Sequence, residues 1–329
     1  MKLSSKPDSY PILRLRSRSI GACIVNAIKA MRLWQWAKNI LMFVPLFLAH
    51  QFDDVGKVLA GVIGFVIFGL CASATYIWND LHDLAHDRKH PTKKNRPIAS
   101  GALPPRSAAL LSVGLLCVGF AGAYLLSNPI FLILVFGYVV ISTLYSLFLK
   151  RLLIIDVLTL SGLYTYRLFL GASLTGIGLS PWILAFSLFF FLSLAFVKRY
   201  AELLAMQPSG ASKLAGRSYA PIDAGLVVAF GTGAGLTAVL VFALYISSPT
   251  VKSMYTSPEV LWLVCPVLIY WIARIWFLAG RGKLQSDPVV FALTDIRSVI
   301  IGTICVALVV LGALWESNGL LERFIHFSV

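Results

Sequence analysis

Residues 58–80 read Val58-Leu-Ala-Gly-Val-Ile-Gly-Phe-Val-Ile-Phe-Gly-Leu-Cys-Ala-Ser-Ala-Thr-Tyr-Ile-Trp-Asn-Asp80, and the chain continues Leu81-His-Asp-Leu-Ala-His-Asp87. A helix needs roughly 20 apolar residues to cross a hydrocarbon core of about 30 Å, and this run supplies them. At its end stand Asp80, Asp83 and Asp87, three acids within eight residues. A charge beside hydrocarbon costs about 2.5–3.5 kcal/mol on insertion scales, so it persists where it pairs, coordinates or faces water. One stretch therefore indicates both the fold class and the place where chemistry is expected.

The rest of the 329 residues has the same character, 58% hydrophobic and 13% charged, which is far from a water-soluble domain. Apolar segments at 31–51, 58–80, 107–126, 129–149, 153–174, 181–198, 222–246, 258–279 and 298–316 predict an all-α integral membrane protein with nine transmembrane helices. Lysines and arginines precede the first segment and follow the second, fourth, sixth and eighth. The alternate connections hold only Lys57 and Lys252, and the tail Arg323. The positive-inside rule places the N-terminus and every basic connection on the cytoplasmic side of a cell (inner) membrane, with the C-terminus outside. Residues 1–28 are basic and lack the apolar core of a cleavable signal peptide, so they read as a cytoplasmic tail before a single transmembrane domain over 29–329.

The net charge of +14 is spread over short loops, with no soluble module to carry a groove reader, so nucleic acid is not the expected partner. Anionic lipid headgroups and a phosphorylated substrate are. Five cysteines, Cys23, Cys71, Cys117, Cys265 and Cys305, stand singly without zinc or disulfide spacing. Neither a P-loop, a dinucleotide fingerprint nor a nucleophile elbow occurs.

On a continuous helix Asp80, Asp83 and Asp87 form one stripe, because positions three, four and seven apart share a face. Three like charges on one stripe repel, and a divalent cation would neutralise them. Oxygen-only ligands select a hard ion such as Mg²⁺, which keeps several waters and bridges to phosphates. Asn79 can add a neutral oxygen. A solvated helix end, or pairing of the acids with Arg88, Lys89, Lys93, Lys94 and Arg96, accounts for the same spacing. His82, His86 and His90 also recur every four residues, but they lie about 200–280° from Asp80 on a helical wheel, and Pro91 ends the helix beyond them.

Asn79-Asp80-x-x-Asp83-x-x-x-Asp87 resembles the first acidic motif of the UbiA superfamily of intramembrane prenyltransferases. His90-Pro-Thr-Lys-Lys-Asn-Arg-Pro-Ile-Ala-Ser-Gly101, Arg32-Leu-Trp-Gln-Trp-Ala-Lys-Asn39, Tyr145-Ser-Leu-Phe-Leu-Lys150 and Lys198-Arg-Tyr-Ala-Glu-Leu203 look like one branch, the decaprenyl-phosphate phosphoribosyltransferases. The resemblance covers roughly residues 28–300 and implies a helical bundle around a central cavity open to the cytoplasm. It also implies transfer of 5-phosphoribose from phosphoribosyl diphosphate to a polyprenyl phosphate. Prenyl-transferring relatives carry a second acidic motif in the loop after the sixth span, whereas this chain has only Glu202 between Lys198 and Arg217.

The residues implied for the site follow from these motifs. Asp80, Asp83 and Asp87 are the catalytic, Mg²⁺-holding acids. Gln35, Lys38, Asn79, Lys93, Arg96, Tyr145, Lys150, Arg167, Lys198, Arg199, Tyr200 and Glu202 are the expected substrate-binding residues, and the seven lysines and arginines among them suit two anionic substrates. Arg167 lies inside an apolar span, where it must snorkel, pair or line a cavity. Trp34, Trp36, Tyr145 and Tyr200 also fit an interfacial aromatic belt. Lys283, Asp287, Asp295 and Arg297 form another charged loop, expected to be structural.

Two other functions share these features. A prenyltransferase joining a prenyl diphosphate to an aromatic acceptor such as 4-hydroxybenzoate has the same fold and metal but makes the lipid the electrophile. A transporter of an anionic lipid or solute would use Arg167 and the basic loops, yet would leave the acidic stripe unexplained and lacks the inverted repeat many transporters show.

Overall fold

Helices begin where the sequence supplies proline or a short polar side chain. Asp54, Asn128, Asp287 and Asp295 accept the backbone N–H of Lys57, Phe131, Val289 and Ser298 at 3.1, 3.0, 3.1 and 2.8 Å. Pro105, Pro129, Pro181, Pro249 and Pro288 open helices, where the missing N–H costs nothing. The computed structural model describes residues 20–90, 92–206, 216–284 and 287–315, so most of the expected N-terminal tail lies outside the described residues.

In chain order the helices are α1 (Ile20–Met31), a three-ten segment (Leu33–Phe43), α2 (Val44–Leu48), α3 (Val55–His82), α4 (Leu84–Asp87), α5 (Pro105–Leu125), α6 (Pro129–Leu147) and α7 (Ile155–Thr175). They continue with α8 (Pro181–Met206), α9 (Ala224–Ser247), α10 (Pro249–Met254), α11 (Val264–Gly280), α12 (Pro288–Thr294) and α13 (Ile296–Leu314). No strand occurs among the described residues.

Seven of these stretches are long and apolar enough to cross a membrane: Val55–His82, Pro105–Leu125, Pro129–Leu147, Pro181–Met206, Pro221–Ser247, Pro258–Gly280 and Ile296–Leu314. The protein is an integral membrane protein. The other two expected spans differ in kind. The segment expected over 153–174 folds as α7, whose 21 residues bury Ser161, Thr165 and Arg167 and are correspondingly less apolar. The segment expected over 31–51 is not one α-helix. Arg32 takes a left-handed conformation at φ 54°, the eleven residues Leu33–Phe43 wind as a three-ten helix, and Pro45 opens the short α2. Three-ten runs of more than three or four residues are uncommon, and this one turns Lys38, Asn39 and Met42 into the interior.

The bundle is apolar outside, and its largely apolar interior also holds hydrogen-bonded polar groups. Ser112 Oγ donates to the Ala74 carbonyl at 3.0 Å, Trp276 Nε1 to Ser193 Oγ at 3.1 Å, and Thr165 and Ser187 share a bond of 2.9 Å. Leu110, Leu125, Ile133, Phe136, Leu226 and Phe230 face outward. Helices in lipid gain nothing from hiding apolar surface from one another, so small residues and interhelical hydrogen bonds hold them together. Gly171 on α7 is the tightest such contact. A Cβ there would lie 1.8 Å from the Met42 carbonyl oxygen, which lets the three-ten segment press against α7.

Gly171→Ala must therefore push these two elements apart. We expect it to destabilise the detergent-solubilised protein by about 1–3 kcal/mol, read as a lowered melting temperature. Gly162→Ala on the same helix, whose added Cβ meets nothing within 4 Å, should melt like the native protein.

Candidate active site

The acidic motif sits where α3 stops. The Asp83 N–H donates to the Asn79 carbonyl at 2.9 Å as the last helical bond, and Asp83 itself leaves the helix at φ −87°, ψ 7°. Asp87 belongs to the one-turn α4 beyond it. The expected continuous stripe is thus broken at Asp83, yet Asp80 and Asp87 still meet. One Arg96 nitrogen, Nη1, donates to Asp80 Oδ1 at 3.0 Å and to Asp87 Oδ2 at 2.6 Å, and Arg32 Nη2 donates to Asp80 as well. Asp83 turns away to Lys150, whose Nζ is 2.8 Å from both its oxygens.

Each acid has therefore taken a basic partner. Among the described residues no three Asp, Glu, His or Cys side chains converge as a metal cluster, and this applies equally to His82, His86 and His90. Of the three acids expected as one ligand set, Asp80 and Asp87 share Arg96, while Asp83 pairs separately with Lys150. The pair fits a hard cation: two nearly buried carboxylates already hold a single positive nitrogen between them.

A second charged cluster surrounds Asp287. Lys38 Nζ and Lys198 Nζ reach its Oδ2 at 2.9 and 3.2 Å, and the Tyr164 hydroxyl donates to its Oδ1 at 3.1 Å. Burial opposes ionisation of Asp287, but the Lys38 and Lys198 ammonium groups hold its carboxyl well below the usual carboxylate range. Arg167 lies alongside, its Cζ 5.4 Å from the Tyr164 ring centre and 5.5 Å from those of Phe68 and Tyr138. It donates to Asn39 Oδ1 at 3.1 Å, to the Leu163 carbonyl and to the Tyr138 hydroxyl at 3.4 Å. It makes no contact with Asp156, in keeping with their eleven-residue separation along the helix.

A third cluster lies at the start of α7. Asp156 and Arg199 are both 0% exposed, with Arg199 Nε 3.0 Å from Asp156 Oδ2. Arg217 Nη1 approaches the same oxygen at 3.1 Å and the Tyr145 hydroxyl at 3.3 Å, while the Tyr219 hydroxyl donates to Asp156 Oδ1 at 2.7 Å. Glu202 closes the group on Arg199 and Arg217. Tyr219 also takes the Ile154 N–H at 3.2 Å, which anchors a β-branched residue held at φ 69° and costing about 1–3 kcal/mol.

Of the expected substrate-binding residues, Arg96 and Lys150 join the acids, and Lys38, Arg167 and Lys198 join Asp287. Arg199, expected to meet phosphate, instead spends its charge on Asp156 and Glu202 inside the bundle, together with Tyr145. Gln35 is half-buried on the three-ten segment, its N–H bonded to the Arg32 carbonyl at 2.8 Å. Asn79 is half-buried and supplies the last α3 carbonyl, Lys93 is exposed beside Arg96, and Tyr200 packs 5.9 Å from Trp276. Asp287, expected to be structural, and Arg32, Asp156, Arg217 and Tyr219 are the further charged or polar partners in these clusters that the motifs did not select. Arg32 opens a quoted motif and was within reach. Asp287 is 249 positions from Lys38, with no local signal of the contact.

Comparison with known proteins adds to this geometry. Residues 40–296 match the UbiA prenyltransferase family. The chain is 37% identical over 278 residues to the uncharacterized protein y4nM of Sinorhizobium fredii, covering 84% of this chain and 54% of that protein, so it spans about half that relative's length. It is 34% identical over 272 residues to nodulation protein NoeC of Azorhizobium caulinodans, covering 83% and 88%. With the decaprenyl-phosphate phosphoribosyltransferase of Corynebacterium glutamicum it shares 33% over 283 residues, covering 84% and 83%. The fold is that of a UbiA homolog from Archaeoglobus fulgidus solved with GPP and Mg²⁺, at TM-score 0.64 and 16% identity over 87% of this chain and 98% of that one. With its acids gathered at the end of α3 and most of its length matching, the chain belongs to the UbiA prenyltransferase family.

Proposed function

We propose that the protein transfers 5-phosphoribose from phosphoribosyl diphosphate to a polyprenyl phosphate and releases diphosphate. The observation that carries this choice within the family is the state of Glu202. It is the only acid between Lys198 and Arg217, and Arg199 and Arg217 both hold it. A single glutamate is not the second acidic motif that would hold another metal in a prenyl diphosphate reaction, which supports the phosphoribosyl reading. The similarity to decaprenyl-phosphate phosphoribosyltransferase supports the same choice.

In the reaction the bond from the anomeric carbon to the diphosphate oxygen breaks, and a lipid phosphate oxygen forms the new bond to that carbon. The diphosphate leaves with the electron pair. Asp80 and Asp87, with Asp83 nearby, would hold Mg²⁺, which when bound neutralises charge building on the leaving group. Arg32, Arg96 and Lys150 pair with these acids and are the nearest cations to bind and orient the phosphates. The lipid phosphate is already ionised near neutral pH and needs no strong general base. We further propose that residues 29–329 act as one unit with the site on the cytoplasmic face of the inner membrane, as the distribution of basic residues supports.

The test is to incubate the purified protein with Mg²⁺, phosphoribosyl diphosphate and a polyprenyl phosphate, and to seek a phosphoribosylated lipid by mass spectrometry. Metal-dependent product is expected. A prenylated aromatic from prenyl diphosphate and 4-hydroxybenzoate, with no phosphoribosylated lipid, would replace the proposed reaction by conventional prenyl transfer. Asp80→Asn should lower kcat by about 10²–10³, the usual scale for losing one electrostatic stabiliser. The rate should also rise as the lipid phosphate loses its second proton near pH 6, roughly its ordinary pKa, and then hold level. A further rise in the alkaline range would point to a protein base that is absent from this scheme.

A further inference from the structure

The cluster around Asp287 is out of charge balance. Lys38, Lys198 and Arg167 bring three cations together, and Asp287 is the one carboxylate bonded to any of them among the described residues. Arg167 is 3% exposed, and its hydrogen-bond partners are all neutral oxygens. The rings of Phe68, Tyr138 and Tyr164 offset part of this buried charge, but no carboxylate is bonded to it. Beside it Asn39, 1% exposed, accepts from Arg167 through Oδ1 while its Nδ2 donor has no partner. Buried amide donors are normally satisfied. Three cations and an orphaned N–H on one side of the bundle describe a site that lacks an anion's oxygens.

The available space indicates how such an anion enters. A cavity of about 10 Å³, lined by Leu160, Tyr164, Leu194, Lys198, Asp287 and Pro288, has room for a single water. A phosphate group is larger, so one entering there would have to take space from the Asp287 carboxylate that lines the cavity. Replacing one negative charge with two also brings the cluster closer to neutrality.

We propose that Lys38, Asn39, Tyr164, Arg167 and Lys198 form a metal-independent site for a phosphate monoester dianion, and that the Asp287 carboxylate is its resident counter-ion, displaced when the phosphate binds. The site is separate from the Asp80 and Asp87 pair, so the two anionic substrates are sorted by charge chemistry. One goes to carboxylates through a metal and the other directly to lysine and arginine. Assigning the lipid acceptor's headgroup to this second site rests on the function proposed above; the site itself does not.

The test uses the purified full chain in detergent with EDTA, titrated with farnesyl phosphate, a short polyprenyl phosphate. Farnesol and phosphoribosyl diphosphate serve as comparison ligands. Asp287→Asn removes the competing charge but keeps an oxygen able to cap α12. It should lower the Kd for farnesyl phosphate at least about tenfold, a change of about 1.4 kcal/mol, with farnesol unaffected. Lys198→Gln should raise that Kd by a similar factor. Unchanged or weakened farnesyl phosphate binding in a folded Asp287→Asn protein overturns the counter-ion role. Should that variant fail to fold, unchanged affinity in Lys198→Gln overturns the site. Tightening for phosphoribosyl diphosphate alone keeps the phosphate site and removes the lipid from it. Phosphoribosyl transfer by the native protein without tightening in Asp287→Asn rejects the site and keeps the reaction, and tightening without transfer does the reverse.

Discussion

Isolated charge is expensive in the interior of a membrane bundle, and the arrangement of this protein follows from where each charge finds its partner. Asp80 and Asp87 share Arg96, Asp83 takes Lys150, Asp287 takes Lys38 and Lys198, and Asp156 takes Arg199 and Arg217. These pairs tie together segments far apart in the sequence: the loop after α3, the turn after α6, the three-ten segment, the C-terminal half of α8 and the start of α12. A pair of this kind is weak evidence of stability, because desolvation offsets much of the attraction. Its more useful property is that a ligand of the right charge can take one partner's place.

The three-ten segment determines where the site can be. It replaces a first membrane-crossing helix with a tighter element, pressed into α7 at Gly171, and so carries Lys38 and Asn39 inward beside Arg167 and Tyr164. A regular α-helix over the same residues has a different side-chain repeat and would not place this set together. The Asp156 cluster has a different role. It pins the chain after α8 to the start of α7 through Arg217 and Tyr219, and it consumes the charge of Arg199 and Glu202.

Much of this was legible in the amino-acid order. The run expected over 58–80 became Val55–His82, and that expected over 298–316 became Ile296–Leu314, because apolar length and proline or aspartate caps act locally. In 31–51 the polar Gln35, Lys38 and Asn39 and the breaker Pro45 were in view, but the close approach of Met42 to Gly171, about 130 residues away, that accommodates the three-ten segment was not. The break of the helix at Asp83 within the acidic motif was not legible. No proline or glycine precedes Pro91 to signal that α3 ends at His82, and the pairing of Asp83 with Lys150 is a tertiary choice. The partners of Arg199 and Asp287 were hidden for the same reason. A buried ion pair depends on which helix ends meet, and periodicity within one helix does not record that.

The central claim is that ligands enter these sites by counter-ion exchange, with Arg96 occupying the place of a metal between Asp80 and Asp87. Titrating Mn²⁺, a paramagnetic stand-in for Mg²⁺, into the detergent-solubilised native protein and Arg96→Gln, with bound and free metal followed by electron paramagnetic resonance, tests it directly. Removing the competing guanidinium should tighten Mn²⁺ binding at least about tenfold. Equal or weaker binding in a folded Arg96→Gln protein would contradict the account, because Arg96 would then be neither a stand-in for the metal nor its competitor.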